Sequence, residues 1–252
     1  MTGHPNASQN WFAQGGQAYA QFRPEYPPEL AAFLASLSPT THLAVDVGSG
    51  NGQLTRQLAE HFTRVIGLDP SADQLAHAAV RENLSYLQAP AEALPLPDHC
   101  ASLITAAQAA HWFDLPAFYA EVQRVAAPGA VVALVSYGVL HLEGALGERF
   151  ARFYAQEIGP FWPAERRLVD SGYATLDFPF EPIALPDMQI RLDWNLPQFL
   201  GYLSTWSAVR RTRQEGQEEL LQRFAEDLAP LWGDAGRTHE IRWPINGRIG
   251  RV

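Results

Sequence analysis

The stretch His42-Leu43-Ala44-Val45-Asp46-Val47-Gly48-Ser49-Gly50-Asn51-Gly52 decides how the rest of the chain reads. An apolar run carrying one acid, Asp46, ends in glycines at alternate positions. Directly afterwards Leu54, Leu58 and Phe62 recur at the period of a helix. The order is therefore buried strand, glycine turn, helix. Such glycines let the backbone turn with φ > 0 and remove the Cβ atoms that would hold a ligand away. The unpaired N–H groups opening the next helix point into the same space. A nucleoside-type cofactor suits this geometry, although a glycine turn also serves simply to connect a strand to a helix.

Outward from this stretch the pattern repeats. Arg64 to Asp69 is a second apolar strand ending in an acid, and Ser71-x-x-Gln74 opens a helix as a capping box. Leu84 to Gln88 is a weaker third strand, followed by the proline-punctuated loop Ala89 to Asp98. Ala101 to Ala106 is a fourth strand, running into Gln108-Ala109-Ala110-His111-Trp112-Phe113-Asp114. Asp114 caps a helix with buried face Phe118, Val122 and Val125, and Pro128-Gly129 leads into a fifth strand over 130–135. Alternation with short connections predicts a doubly wound, mostly parallel α/β sheet, Rossmann-like. In such sheets ligands sit at the carboxyl ends of the strands, where strand order reverses. Asp46 to Gly52, Asp69, the Ala89–Glu92 loop and Gln108 to Asp114 all fall at strand carboxyl ends.

Beyond Tyr137 the alternation breaks. Helices are expected within 143–158, near 164–169, from the Asn195-x-x-Gln198 box onward, and over 218–228. One strand is expected within 177–194 and an antiparallel edge strand over 238–245, giving a seven-stranded sheet. We read 1–252 as a single domain, with core 30–137 and parts of 175–252, an N-terminal lid over 11–28, and helical cap elements within 140–234. Trp206 shares a helical stripe with Phe199 and Leu203 and reads as core. The lid segment packs Tyr19, Phe22, Arg23 and Tyr26 beside Pro24, Pro27 and Pro28. It suits either a cover over a pocket or a strap whose aromatics pack on the core.

Composition narrows the function. The net charge is −9, and all 18 basic residues are arginine. A nucleic-acid partner is disfavoured by that balance and by the lack of a basic run. Eight histidines show no metal-ligand spacing, and one cysteine, Cys100, excludes an intrachain disulfide. The first residues lack a signal-peptide pattern and no apolar run reaches membrane-span length, so a cytoplasmic protein is expected. A phosphate-binding loop needs a lysine, which the chain lacks. The Gly48-x-Gly50-x-Gly52 spacing, with Asp46 inside the strand, also departs from the dinucleotide pattern.

The combined blocks D-x-G-x-G-x-G, an acid at Asp69, A-E-x-L-P-x-P-D from Ala91 and P-G before the fifth strand resemble the class I S-adenosylmethionine-dependent methyltransferases over residues 42–136. The Gln108–Asp114 segment, Arg23-Pro24-Glu25-Tyr26-Pro27 and Gly201 to Ser207 are similar to the trans-aconitate methyltransferase-like small-molecule subfamily. The resemblance implies S-adenosylmethionine as cofactor, with Asp46, Gly48, Ser49, Gly50 and Gly52 along its methionine and ribose. It implies that Asp69 accepts from the ribose hydroxyls, that Pro70, Ala91 and Glu92 border the adenine, and that Gln108 joins the cofactor site. Many relatives carry an aspartate where Pro90 stands here, so the adenine amino contact of those relatives is not available from that side chain. Asp46 also reads as a turn acid satisfying backbone N–H groups, and Asp69 as a cap for the following helix.

A small-molecule acceptor is implied, and two chemistries stand open. An ionised carboxylate needs no base, and Arg23 with Tyr19 and Tyr26 would clamp it. A hydroxyl or amine needs a base, for which His111 is the candidate. His111 and Trp112 read either as acceptor contacts or as packing. A cofactor-binding protein without transferase activity is the alternative of another class. The sequence does not choose between monomer and homodimer.

Overall fold

β1 (Leu43–Val47) is buried along its whole length, as a strand must be when helices cover both faces of a parallel sheet. The computed structural model describes residues 23–252. β2 (Arg64–Asp69) and β4 (Ala101–Ala107) flank β1 in parallel, β3 (Leu84–Gln88) lies beyond β2, and β5 (Ala126–Tyr137) lies beyond β4. The full order is β3-β2-β1-β4-β5-β8-β6, with β6 (Glu181–Ile183), β8 (His239–Arg251) and, off this path, β7 (Gln189–Trp194) beside β8. Strand order reverses between β1 and β4, the place where such sheets leave a crevice. Register sets Asp46 opposite Gly67 on one side and Thr105 on the other.

The mostly parallel Rossmann-like fold is as expected. The final strand runs antiparallel, Ile245–Arg251 against Val131–Tyr137. Short β6 pairs along its outer side, so the antiparallel strand lies one place in from the edge. The proline-spaced stretch 177–194 forms two strands in place of one. Pro182 lies inside the three-residue first strand, and Pro186, between the two, has no N–H to give to a ladder.

α1 (Pro28–Leu37) and α2 (Gln53–Leu58) precede and follow β1. α3 (Ala72–Ala76) is shorter than its sequence pattern. Ser71 accepts the Gln74 N–H, but α3 buries no residue and Val80 beyond it is 95% exposed, so nothing prolongs the helix. α4 (Leu115–Val125) is capped by Asp114 and buries Phe118, Val122 and Val125, as the sequence requires. The chain then forms α5 (Gly144–Arg152), a π-helical turn (Phe153–Glu157), α6 (Arg166–Asp170), α7 (Leu196–Ser204), α8 (Ser207–Gln214) and α9 (Glu218–Trp232).

The described residues divide into two compact units. The sheet unit takes residues 25–139, 165–190 and 243–252. Residues 165–190 thus group with the sheet, where Val169, Tyr173 and Leu176 join the core of Val45, Ile104 and Leu134. The helical unit takes residues 23–24, 140–164 and 191–242. Its centre is aromatic: Phe153 stacks on Phe224 with ring centroids 3.8 Å apart. Trp206 is buried among Phe150, Tyr154, Trp162 and Tyr202, in keeping with a core role. Arg149, 7% exposed, pairs bidentately with Glu157 and lies 4.8 Å over the Phe224 ring, so its charge is compensated on both sides.

α7 carries a complete capping box, Asn195 accepting the Gln198 N–H and Gln198 accepting the Asn195 N–H, both at 3.0 Å. Asn195→Ala should lower the stability of the protein by about 1 kcal/mol in chemical denaturation. An unchanged denaturation midpoint would show that the box adds nothing.

Candidate active site

The Gly48–Gly52 turn is built by three left-handed glycines, with φ of 69°, 55° and 85° at Gly48, Gly50 and Gly52. Gly48 and Ser49 both donate to the Leu68 carbonyl, at 2.7 and 2.9 Å, so β2 holds the turn from below. The glycines are required for different reasons. A Cβ on Gly48 would come within 2.5 Å of Ala109 Cβ, and one on Gly52 would collide with the Tyr86 hydroxyl. A Cβ on Gly50 would meet nothing closer than Gln74, at 3.8 Å. Gly50 therefore opens onto space, and its own N–H donates to Asp69 Oδ2 at 2.9 Å.

Asp69 stands at the end of β2, half-buried, its other oxygen accepting the Ser71 N–H at 2.8 Å. Each oxygen keeps a second lone pair, so the cap role and ligand binding are compatible. Pro70, next to it, is exposed. Asp46 is placed differently. It is 1% exposed, and its two oxygens accept the hydroxyls of Thr55 and Thr105, each at 2.7 Å. Burial raises its carboxyl from the ordinary 3.8 to about 6, against the lowering effect of the threonine bonds, and the charge of Asp69 adds to the rise.

The loop after β3 is tied down by α4. Arg124 donates to the carbonyls of Leu94 and Leu96 and to Asp98. Glu121, paired with Arg124, accepts the Leu94 N–H at 2.6 Å. The Arg124 bonds hold the Glu121 carboxyl below its usual range. Ala91 is buried within this loop, Pro90 is exposed, and Glu92 accepts the Asp114 N–H at 2.9 Å. Glu92 thereby joins the loop to the segment after β4.

That segment begins at Gln108, a non-glycine residue at φ 54°. Its N–H donates to Val135 and its side chain to the Tyr137 carbonyl, which fixes the end of β4 to β5. A turn at Ala110–Trp112 follows, leaving Trp112 60% exposed and His111 half-buried. His111 Nδ1 lies 3.0 Å from the Tyr173 hydroxyl. Tyr26 is 4% exposed and packs on Tyr137, with its carbonyl accepting from Gln57. Arg23 is half-buried and groups with the helical unit, and Tyr19 lies outside the described residues.

The structure thus brings the glycine turn, Asp69, the Ala91–Glu92 loop and the Gln108–Asp114 segment together at the carboxyl ends of β1 to β4. Two residues were missed from sequence. Tyr86 lies over Gly52 and Gly67, and burial together with the Asp46 charge raises its hydroxyl. Its signal was available, since an aromatic in a short strand opposite a glycine in the neighbouring one reads as a lid on that glycine. Tyr173, in a turn distant in sequence, left no such signal.

The site also fits an adenosyl ligand on its own terms. Ser49 Oγ is buried with no hydrogen-bond partner among the described residues, and Gly50 offers an unobstructed face beside an acid. Among the described residues no group of three or more His, Cys, Asp or Glu side chains is placed to hold a metal, and no helix is long and apolar enough to cross a membrane.

A methyltransferase-domain family matches residues 45–134. A "Putative methyltransferase" of Dictyostelium discoideum is 32% identical over 249 residues, covering 96% of this chain and 94% of that protein. An uncharacterized methyltransferase of Mycobacterium tuberculosis is 36% identical over 126 residues, about half of each chain (49% and 51%). The solved structure of a "Putative Type II Methyltransferase" from Anaeromyxobacter dehalogenans superposes with TM-score 0.85 at 42% identity, covering 91% of this chain and 98% of that one. The chain belongs to the class I S-adenosylmethionine-dependent methyltransferases. S-adenosylmethionine is its cofactor.

The glycine turn and Asp46 can each be tested. Gly50→Ala should weaken S-adenosylhomocysteine binding tenfold or more in calorimetry, about 1.4 kcal/mol. Gly216→Ala shares the positive φ and open surroundings in the helical unit and should leave binding unchanged. Equal losses in the two variants would overturn the placement of the ligand at Gly50. For Asp46, the folded state keeps its proton up to about pH 6 while the unfolded chain gives it up near 3.8. Its contribution is present below about pH 4 and lost as pH rises to about 6, on the order of 3 kcal/mol. Asp46→Asn should remove that fall from the stability–pH profile relative to wild type. Parallel profiles for the two proteins would show that Asp46 is not the titrating group.

Proposed function

We propose that this methyltransferase O-methylates a small-molecule carboxylate, as a member of the trans-aconitate methyltransferase-like subfamily. The observation that carries the reading is the group that meets His111 Nδ1. A histidine working as a general base is ordinarily oriented by a carboxylate, which stabilises the imidazolium that forms. Here Nδ1 meets the neutral hydroxyl of a buried tyrosine. An acceptor that arrives already ionised fits that arrangement. The subfamily motifs at Arg23–Pro27 and Gln108–Asp114 support the same assignment.

The cofactor would be held by the Gly48–Gly52 turn with Ser49, by Asp69 at its ribose, and by Pro70, Ala91 and Glu92 along its adenine. It supplies an electrophilic methyl group on a sulfonium sulfur. The work left to the chain is alignment and exclusion of water. An ionised carboxylate oxygen would take up that methyl group with a lone pair it already holds, so the residues of this chain would have no proton to remove. The resemblance to the subfamily would give Arg23 the role of positive partner to the acceptor, Tyr19 and Tyr26 that of hydroxyl donors, and Trp112 that of an apolar contact. Gln108 acts from the backbone outward, by fixing the turn on which His111 and Trp112 stand.

The test is a labelled-methyl assay with trans-aconitate and pooled small carboxylic acids, phenols and amines. Label should enter carboxylic acids and be released as methanol by alkali, the behaviour of an ester. Arg23→Ala should raise the acceptor KM roughly tenfold or more with a smaller change in kcat. His111→Ala should keep kcat within about threefold. Collapse of turnover in His111→Ala with recovery at high pH would move the assignment to a hydroxyl or amine acceptor with His111 as base.

A further inference from the structure

Tyr173 occupies the turn after α6 at φ 63°, directly behind Gly172 at the same angle. The turn is closed by the Tyr173 N–H to Leu168, 2.8 Å, and the Gly172 N–H to Val169, 2.9 Å. A bulky residue in the left-handed region is strained, and the strain is held by complete burial of the ring. What that conformation achieves is delivery of the hydroxyl to His111, 3.0 Å from Nδ1, with ring centroids 6.2 Å apart.

The direction of this hydrogen bond follows from satisfying the buried groups. Burial pushes the Tyr173 hydroxyl far above its ordinary range, so the oxygen keeps its proton. The O–H proton needs an acceptor, and among the described residues it has one, His111 Nδ1. A buried donor left without an acceptor would carry its full desolvation penalty. The tyrosine therefore donates and Nδ1 accepts. A neutral imidazole that accepts at Nδ1 carries its proton on Nε2.

We propose that Tyr173 is a positioning residue that fixes His111 as the Nε2–H tautomer, so that His111 meets the methyl acceptor as a hydrogen-bond donor to oxygen and not as a base. The inference rests on the carboxylate reading above for the identity of the acceptor, but not for the tautomer. A nitrogen already protonated cannot take a proton from a hydroxyl or an amine. It can hold one oxygen lone pair of a carboxylate and leave the others for attack. In this arrangement a buried tyrosine, far from the cofactor loop in sequence, selects the class of acceptor.

The experiment uses the full chain with nitrogen-15 histidine and long-range proton–nitrogen spectra, without added ligand. His111→Ala assigns the signal among the eight histidines. Wild type should show His111 with Nε2 protonated and Nδ1 bare, and Tyr173→Phe should turn this into a mixture of tautomers. A proton on Nδ1 in wild type, or an unchanged tautomer in Tyr173→Phe, overturns the proposal. The kinetic arm uses labelled methyl transfer to trans-aconitate. His111→Gln, which places an amide N–H near the position of Nε2–H, should keep KM within about threefold, while His111→Ala raises it roughly tenfold. Equal KM in the Gln and Ala variants would overturn the donor role. If trans-aconitate and the other carboxylates are not methylated, the acceptor reading fails, and the tautomer measurement still decides the role of Tyr173.

Discussion

One buried carboxylate ties the site together. Asp46 sits in the middle of β1, and its two oxygens take a hydroxyl from α2 and another from β4. The glycine turn lies between Asp46 and Thr55, so this bridge fixes both ends of the Gly48–Gly52 loop. Thr105 extends the bridge to the strand leading to His111. Removing either threonine would leave a buried acceptor short of a donor, which is why these small polar residues belong in an otherwise apolar layer. The cost of the arrangement is the raised carboxyl, which ionises only near pH 6.

Around that bridge the site is assembled by side chains that need not touch a ligand. Arg124 and Glu121 on α4 hold the loop after β3 by its backbone, so a segment with three prolines and no ladder of its own keeps one shape. Glu92 then passes that order to Asp114, the cap of the same helix. Gln108 fastens β4 to β5 just before the turn that presents His111 and Trp112. These contacts form a closed circuit of short bonds, which is how loops at strand ends reach the definition that methyl transfer demands.

Much of this was legible in residues 42–136. The glycine spacing requires left-handed conformations, an acid ending the second strand is available to hydroxyls, and Asp114 followed by a prolined helix start can be read as a cap. Local chemistry dictates each of these. Other features depend on contacts between distant segments. From sequence Asp46 reads as a cofactor contact, with a turn acid as its alternative, until Thr105, fifty-nine residues away, is seen beside it. The shortness of α3 follows from its burying nothing, which periodicity does not reveal.

The sequence by itself determined the parallel sheet, the cofactor class and the glycine turn after β1, because strand period, glycine conformation and the spacing of acids are properties of neighbouring residues. Tertiary structure alone decided that residues 165–190 group with the sheet and that Tyr173 reaches His111. The reason is physical. A hydroxyl sixty-two residues from an imidazole becomes its partner only when packing of the tyrosine ring brings the two together.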